Sequence, residues 1–214
     1  MNPQRHALVA ALFMLLASPA AALPWHWGVR VGLNGANFTG EFGKAVKPDL
    51  RYGLNAGLVA DAALTHDLSL HVEGAYSSKG GKFAQGSIAY SGNLVGSFDE
   101  TWTFDYVEVP VLVRGTVHGR GNARLFAELG PSFGLAVSGR FKPALQGLPE
   151  RDFKKDMKPI DPGFAAGLGV ELAAGPSRFG IDARYTRGFS DLIDLADNAT
   201  TINQVWTLAL SWMH

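Results

Sequence analysis

Tyr106 to Val137 reads YVEVPVLVRGTVHGRGNARLFAELGPSFGLAV. Its first arm places Val107, Val109, Val111 and Val113 on one face and Glu108 and Arg114 on the other. Its second arm sets Leu125, Ala127, Leu129, Phe133, Leu135 and Val137 against Arg124, Glu128, Ser132 and Ser138. Side chains alternate across a strand, so this period of two, interrupted by His118, Gly119, Arg120, Gly121 and Asn122, predicts a β-hairpin. Which face lies inside decides the rest: a soluble sheet turns its apolar face inward, whereas a membrane barrel turns it outward against lipid.

The same alternation recurs on both sides of the hairpin. Upstream it predicts strands over Trp25 to about Asn37, about Leu50 to Ala63, and Leu68 to Ser77. Downstream it predicts strands around Phe164 to Leu172, Arg178 to Tyr185 and Ile202 to Trp212, the first two joined by the tight turn Ala174, Gly175, Pro176, Ser177. The predicted fold is an all-β, eight-stranded antiparallel up-and-down transmembrane barrel. Its connections alternate long and short: Gly40 to Asp49, Ser78 to Glu100, Gly139 to Asp161 and Arg187 to Thr200 are long, and the three between them are short. Short periplasmic turns and long extracellular loops are the outer-membrane pattern. Aromatics fit it, with Trp25, Trp27 and Trp212 predicted at the periplasmic rim and Tyr52, Tyr76, Phe164 and Tyr185 near the outer rim.

The polar faces carry Arg30, Arg51, Arg114, Arg124, Arg178 and Arg184 against Asp61, Glu73, Glu108, Glu128, Glu171 and Asp182, six of each sign. In a soluble lipocalin-like barrel these charges would be solvated surface. Large aliphatics on every apolar face, alternating loop lengths and glycines on the polar face favour the lipid-facing arrangement. The lumen of an eight-stranded barrel is just wide enough to be filled by side chains, and an unpaired buried charge costs several kcal/mol. The charges are therefore expected to pair as a polar plug, with Glu73, Glu108 and Glu128 forming an acidic wall.

Residues 1–22 read as a secretory signal: Arg5 and His6, an eleven-residue apolar run from Ala7 to Ala17, and an Ala-x-Ala site ending at Ala22. The run is too short to span a bilayer as a helix. Residues 23–214 are then the barrel domain, with 18 basic and 19 acidic residues, a balance that gives no argument for a nucleic-acid partner. The chain has no cysteine, which excludes disulfide staples and thiolate chemistry.

The segments DYVEVPVLVRG (105–115), ARLFAELGPSFG (123–134), GFAAGLGVEL (163–172), FGIDARYTRGFSDL (179–192) and GVRVGLNGANF (28–38) resemble the PorT-type outer-membrane β-barrel family. The resemblance covers Trp27 to the C-terminus. It implies residence in the outer membrane, contact with membrane lipid and lipopolysaccharide, and insertion by the barrel-assembly machinery, and it leaves the activity unspecified. Outer-membrane barrels end on an aromatic that this machinery reads, whereas Met213 and His214 follow Trp212 here.

Two chemical readings are weak. Ser69, His71 and Glu73 share one strand face, as the residue types of lipid A deacylases would, but steps of about 7 Å along a strand separate them too far for a hydrogen-bonded triad without bending. Asp191, Asp194 and Asp197 lack the dense oxygen spacing of a calcium loop. No P-loop, zinc-spacing or dinucleotide motif is present, and no cofactor or metal is expected. The leading expectation is a closed, non-enzymatic outer-membrane barrel acting through its loops; the alternatives are a narrow porin, a lipid-modifying outer-membrane enzyme and a soluble periplasmic carrier. The third long loop, with Arg140, Lys142, Arg151, Lys154, Lys155 and Lys158 against Glu150, Asp152, Asp156 and Asp161, is mildly basic and would face lipopolysaccharide phosphates if extracellular; a solvated mixed-charge loop is the alternative reading.

Overall fold

The computed structural model describes residues 24–40, 48–85, 89–90, 93–94, 98–119, 121–143, 149–192 and 200–214. The predicted export signal, Arg120, Asp194 and Asp197 lie outside these residues. Eight long strands form the wall: β1 Trp25–Thr39, β2 Asp49–Ala63, β3 Leu68–Gln85, β4 Phe98–His118, β5 Ala123–Lys142, β6 Ile160–Ala174, β7 Ser177–Gly188 and β8 Ile202–Met213. Each pairs antiparallel with its sequence neighbours, and β1 pairs with β8 to close the barrel. Full closure removes the unpaired edges that an open sheet would expose to lipid. No helix among the described residues is long and apolar enough to cross a membrane.

The faces divide as a membrane barrel requires. Leu168 is 67% exposed, Leu208 59% and Leu58 66%, while Glu128 is 2% and Arg114 5% exposed. Apolar rows therefore point outward and charges inward, which excludes the soluble carrier arrangement. Trp25, Trp27 and Trp212 lie at the end where the termini meet. There Trp27 and His214 exchange backbone hydrogen bonds, the His214 N–H donating at 2.8 Å and the Trp27 N–H at 3.1 Å. Met213 and His214 thus continue the closing seam beyond Trp212. At the other end lie Tyr52, Tyr76, Phe164 and Tyr185, the last packed on Trp206 at 4.9 Å.

The strands are longer than apolar alternation predicts. β3 continues to Gln85 and β4 begins at Phe98, so much of the predicted loop Ser78 to Glu100 is strand. A register shift between Asp105 and Tyr106 accompanies this extension. Beyond it the inward face changes character: Phe38, Phe83, Phe104, Tyr106, Phe153, Met157 and Leu192 form a buried apolar cluster inside the outer mouth. Phe104 meets Phe38 at 5.3 Å and Phe153 at 5.2 Å, both edge to face. Phe153 and Leu192 come from the loops, which are tied down by Phe153 N–H to the Gly139 carbonyl at 3.1 Å and Lys158 N–H to the Leu192 carbonyl at 3.0 Å.

Candidate functional site

Below the aromatic cap the lumen is a stack of ion pairs, each member placed by strand parity. Arg114 on β4 is the hub nearest the inner mouth. Its guanidinium donates to Glu128 through Nε at 3.0 Å and a terminal nitrogen at 2.8 Å, to Glu171 at 2.9 Å and to Asp61 at 3.3 Å. It also lies 4.2 Å over the ring of Phe126, a cation–π contact. That ring fills the space over Gly169, where an added Cβ would come within 2.3 Å of it, so glycine on β6 is what lets an aromatic enter the lumen.

The middle layer belongs to Arg184, Arg30 and His71. Arg184 on β7 donates to Glu128 at 2.6 and 2.9 Å and to Glu73 at 2.5 Å. Arg30 on β1 holds Asp182 in a forked pair at 2.6 and 3.1 Å and donates to Asn55 at 2.9 Å. Two-pronged pairing of this kind fixes both distance and plane. His71 is sandwiched, with Nδ1 2.5 Å from Asp61 and Nε2 2.7 Å from Glu73. The Ser69, His71, Glu73 grouping therefore resolves into a carboxylate–imidazole–carboxylate bridge without a part for Ser69.

Farther out, Lys79 pairs with Glu108 and lies 5.0 Å over the Tyr106 ring. Asn34 donates to Ser77 Oγ at 3.0 Å and accepts from Thr207 Oγ1 at 2.7 Å. Asn203 donates to Asp161 at 2.9 Å. Lys79 and Asp161 escape a reading of apolar alternation because they lie where the strands outrun the lipid-facing rows, whereas Asn203 falls on the polar face that alternation gives the last strand.

Three predicted members are placed differently from the expectation. Arg51 leaves the charge stack: a register irregularity between β2 and β3 lets its guanidinium donate instead to Ser78 Oγ at 3.2 Å and to the Lys79 carbonyl at 3.0 Å. Arg124 sits half-buried at the inner mouth, where water can solvate it, outside the ion pairs formed by the other arginines. Glu108 pairs with Lys79, whereas Glu73 and Glu128 share Arg184. Arg178 borders the stack, 3.5 Å from Asp61 and 3.6 Å from Glu171. The resulting stack has six carboxylates, Asp61, Glu73, Glu108, Glu128, Glu171 and Asp182, against five permanent cations, Arg30, Lys79, Arg114, Arg178 and Arg184.

A closed barrel wall, outward apolar faces and a charged interior describe an outer-membrane barrel, and sequence comparison agrees. The profile of the family described as outer membrane protein beta-barrel domain matches residues 13–194. The chain belongs to this family. It is a small outer-membrane protein of the Gram-negative type. Among curated proteins, none matches the chain by sequence. Similar solved structures include Ail of Yersinia pestis in complex with the heparin analogue sucrose octasulfate, at 13% identity over 90% of this chain and 100% of that one, TM-score 0.43. Neisserial surface protein A is similar at 11% identity over 86% and 95% of the two chains, TM-score 0.46. OprG of Pseudomonas aeruginosa is similar at 12% identity over 90% and 97%, TM-score 0.44.

Proposed function

We propose that this outer-membrane barrel is closed and non-enzymatic, and that it acts through its extracellular face, in surface interaction or envelope integrity, and not through its lumen. One observation carries the reading. Between the middle and outer layers, among Arg30, Glu73, Glu108, Ser132, Arg184 and Thr207, the open space is about 10 Å³. That volume holds about one water molecule. The aromatic cap lies beyond it in the same direction.

The outer face supplies the interaction chemistry. Arg151, Lys154 and Lys155 are exposed there, beside Arg140 and Lys142 at the end of β5, and phosphate groups of lipopolysaccharide are the matching partners at that height. Arg140 is oriented by Asp105 at 2.9 Å while its side chain stays half exposed. The reading includes export by residues 1–22, insertion by the barrel-assembly machinery and membership of the PorT-type branch of the family. The test is conductance in planar bilayers: the purified protein is expected to give no stable open channel, and a large, long-lived conductance would overturn the closed-barrel reading.

A further inference from the structure

The inner mouth carries a feature that neither a plug nor a surface role uses. His66 and Asp67 lie in the turn between β2 and β3, and His118 ends β4, so two separate hairpins bring two imidazoles and a carboxylate together. Asp67 Oδ1 is 3.3 Å from His118 Nδ1 and 3.8 Å from His66 Nε2, and the three ligand atoms all lie within 4.8 Å of one another. The backbone beneath them is fixed. Thr65 Oγ1 accepts from the N–H of Asp67 at 3.3 Å and of Leu68 at 3.1 Å, and the Asp67 carbonyl accepts from Thr116 N–H at 2.8 Å, tying the turn to β4.

We propose that His66, Asp67 and His118 form a binding site for a divalent transition-metal ion, Zn²⁺ or Cu²⁺, on the periplasmic side of the barrel. In a tetrahedral site with bonds of ~2.0–2.1 Å, neighbouring ligand atoms stand roughly 3.3 Å apart. One pair already has that spacing, and the others need to close by no more than the difference from 4.8 Å. The side chains that must move are free to do so: His66 is 83% and Asp67 64% exposed. The imidazoles are now stacked at 4.6 Å, a parallel arrangement that a shared ion would replace by turning both ring nitrogens toward itself.

Ligand chemistry selects the ion. Two neutral imidazoles with one carboxylate suit zinc and copper, whereas calcium and magnesium require an all-oxygen shell. The three residues border an open cavity of about 320 Å³, which leaves room for the waters completing the coordination, and His26 lines the same cavity. Arg124 and Arg178 also line it, and Arg178 lies 3.5 Å from Asp61 and 3.6 Å from Glu171 at its floor. An ion here would clamp the β2–β3 turn to the end of β4.

The test is calorimetric titration of the full-length protein, free of any histidine tag and folded in detergent, with Zn²⁺, followed by electron paramagnetic resonance with Cu²⁺. One ion per chain at micromolar affinity is expected, with Cu²⁺ coupled to two equatorial nitrogens. Affinity should fall at least about tenfold in H66A/H118A and in D67N, each checked for retention of the folded gel band. Absence of micromolar binding by the unaltered protein, or unchanged binding and nitrogen coupling in H66A/H118A, would overturn the proposal.

Discussion

Arg114 reaches Glu128, Glu171, Asp61 and the ring of Phe126 while itself 5% exposed, so its removal takes one shared cation from three carboxylates and leaves Glu128 to Arg184, and Asp61 and Glu171 to the longer contacts of Arg178. Breaking a buried pair by deleting one partner costs ~3–5 kcal/mol, because the charge left behind has no solvent to turn to. Arg114→Ala is therefore expected to lower the urea midpoint of the folded barrel strongly. Arg124→Ala, at the open mouth, should change stability by no more than about 0.5 kcal/mol. The two arginines look alike in sequence, each on the polar face of the same hairpin, and equal losses in urea titration would contradict their different placement. Parity alone made Arg30, Asp61, Glu73, Glu128 and Arg184 legible as candidates for one interior. It was silent on depth, and depth separates Arg124 from Arg114. The departure of Arg51 depends on a register irregularity between β2 and β3, which no alternation of residue types announces.

A strand in this barrel changes its physical setting along its length. On β8, Leu208 lies opposite Leu33 and Ala183 in the middle of the apolar band, whereas Leu50 on β2 lies beyond Tyr52 at the outer rim. An arginine facing lipid costs ~2–4 kcal/mol at the bilayer midplane and about 0–1 kcal/mol near an interface. Leu208→Arg should therefore destabilise the barrel in lipid vesicles by several times as much as Leu50→Arg, as measured by equilibrium unfolding; equal costs would move the membrane boundary. The eight strands and their order were readable because lipid imposes a period of two on each. Their outer ends were not, because above the membrane the rule inverts. Trp102, Phe104 and Tyr106 share the parity of lumenal Glu108, so apolar residues there turn inward to water-free contacts. Phe141 joins them only because the register shift near Asp105 moves its parity from the lipid face to the inner one. A search for outward apolar rows stops at Val107, where the useful signal changes face.

On the proposed closed-lumen reading, the molecule as a whole has two seals in series. One is the ion-paired stack centred on Arg114, Arg184 and Arg30, and the other is the aromatic cap of Phe38, Phe83, Phe104 and Phe153. Barrel closure makes the wall resistant to detergent, so unboiled protein should migrate differently from boiled protein in gels, and release from membranes without detergent would contradict a spanning barrel. Barriers in series have a consequence for conduction that a single plug lacks. Truncating both signs in the middle of the stack, as in R30A/E73A/R184A/D182A, removes side-chain volume without leaving a lone charge among those four groups, yet the cap still excludes water. Truncating the cap by F38A/F104A/F153A exposes the outer lumen while the ion pairs still bar passage. Each variant alone should stay silent in planar bilayers, and step conductance should appear only when the two sets are combined in a chain that keeps its folded gel band. A conducting channel from either set alone would show that the other is no seal, and the distribution of closure over the length of the barrel would have to be redrawn.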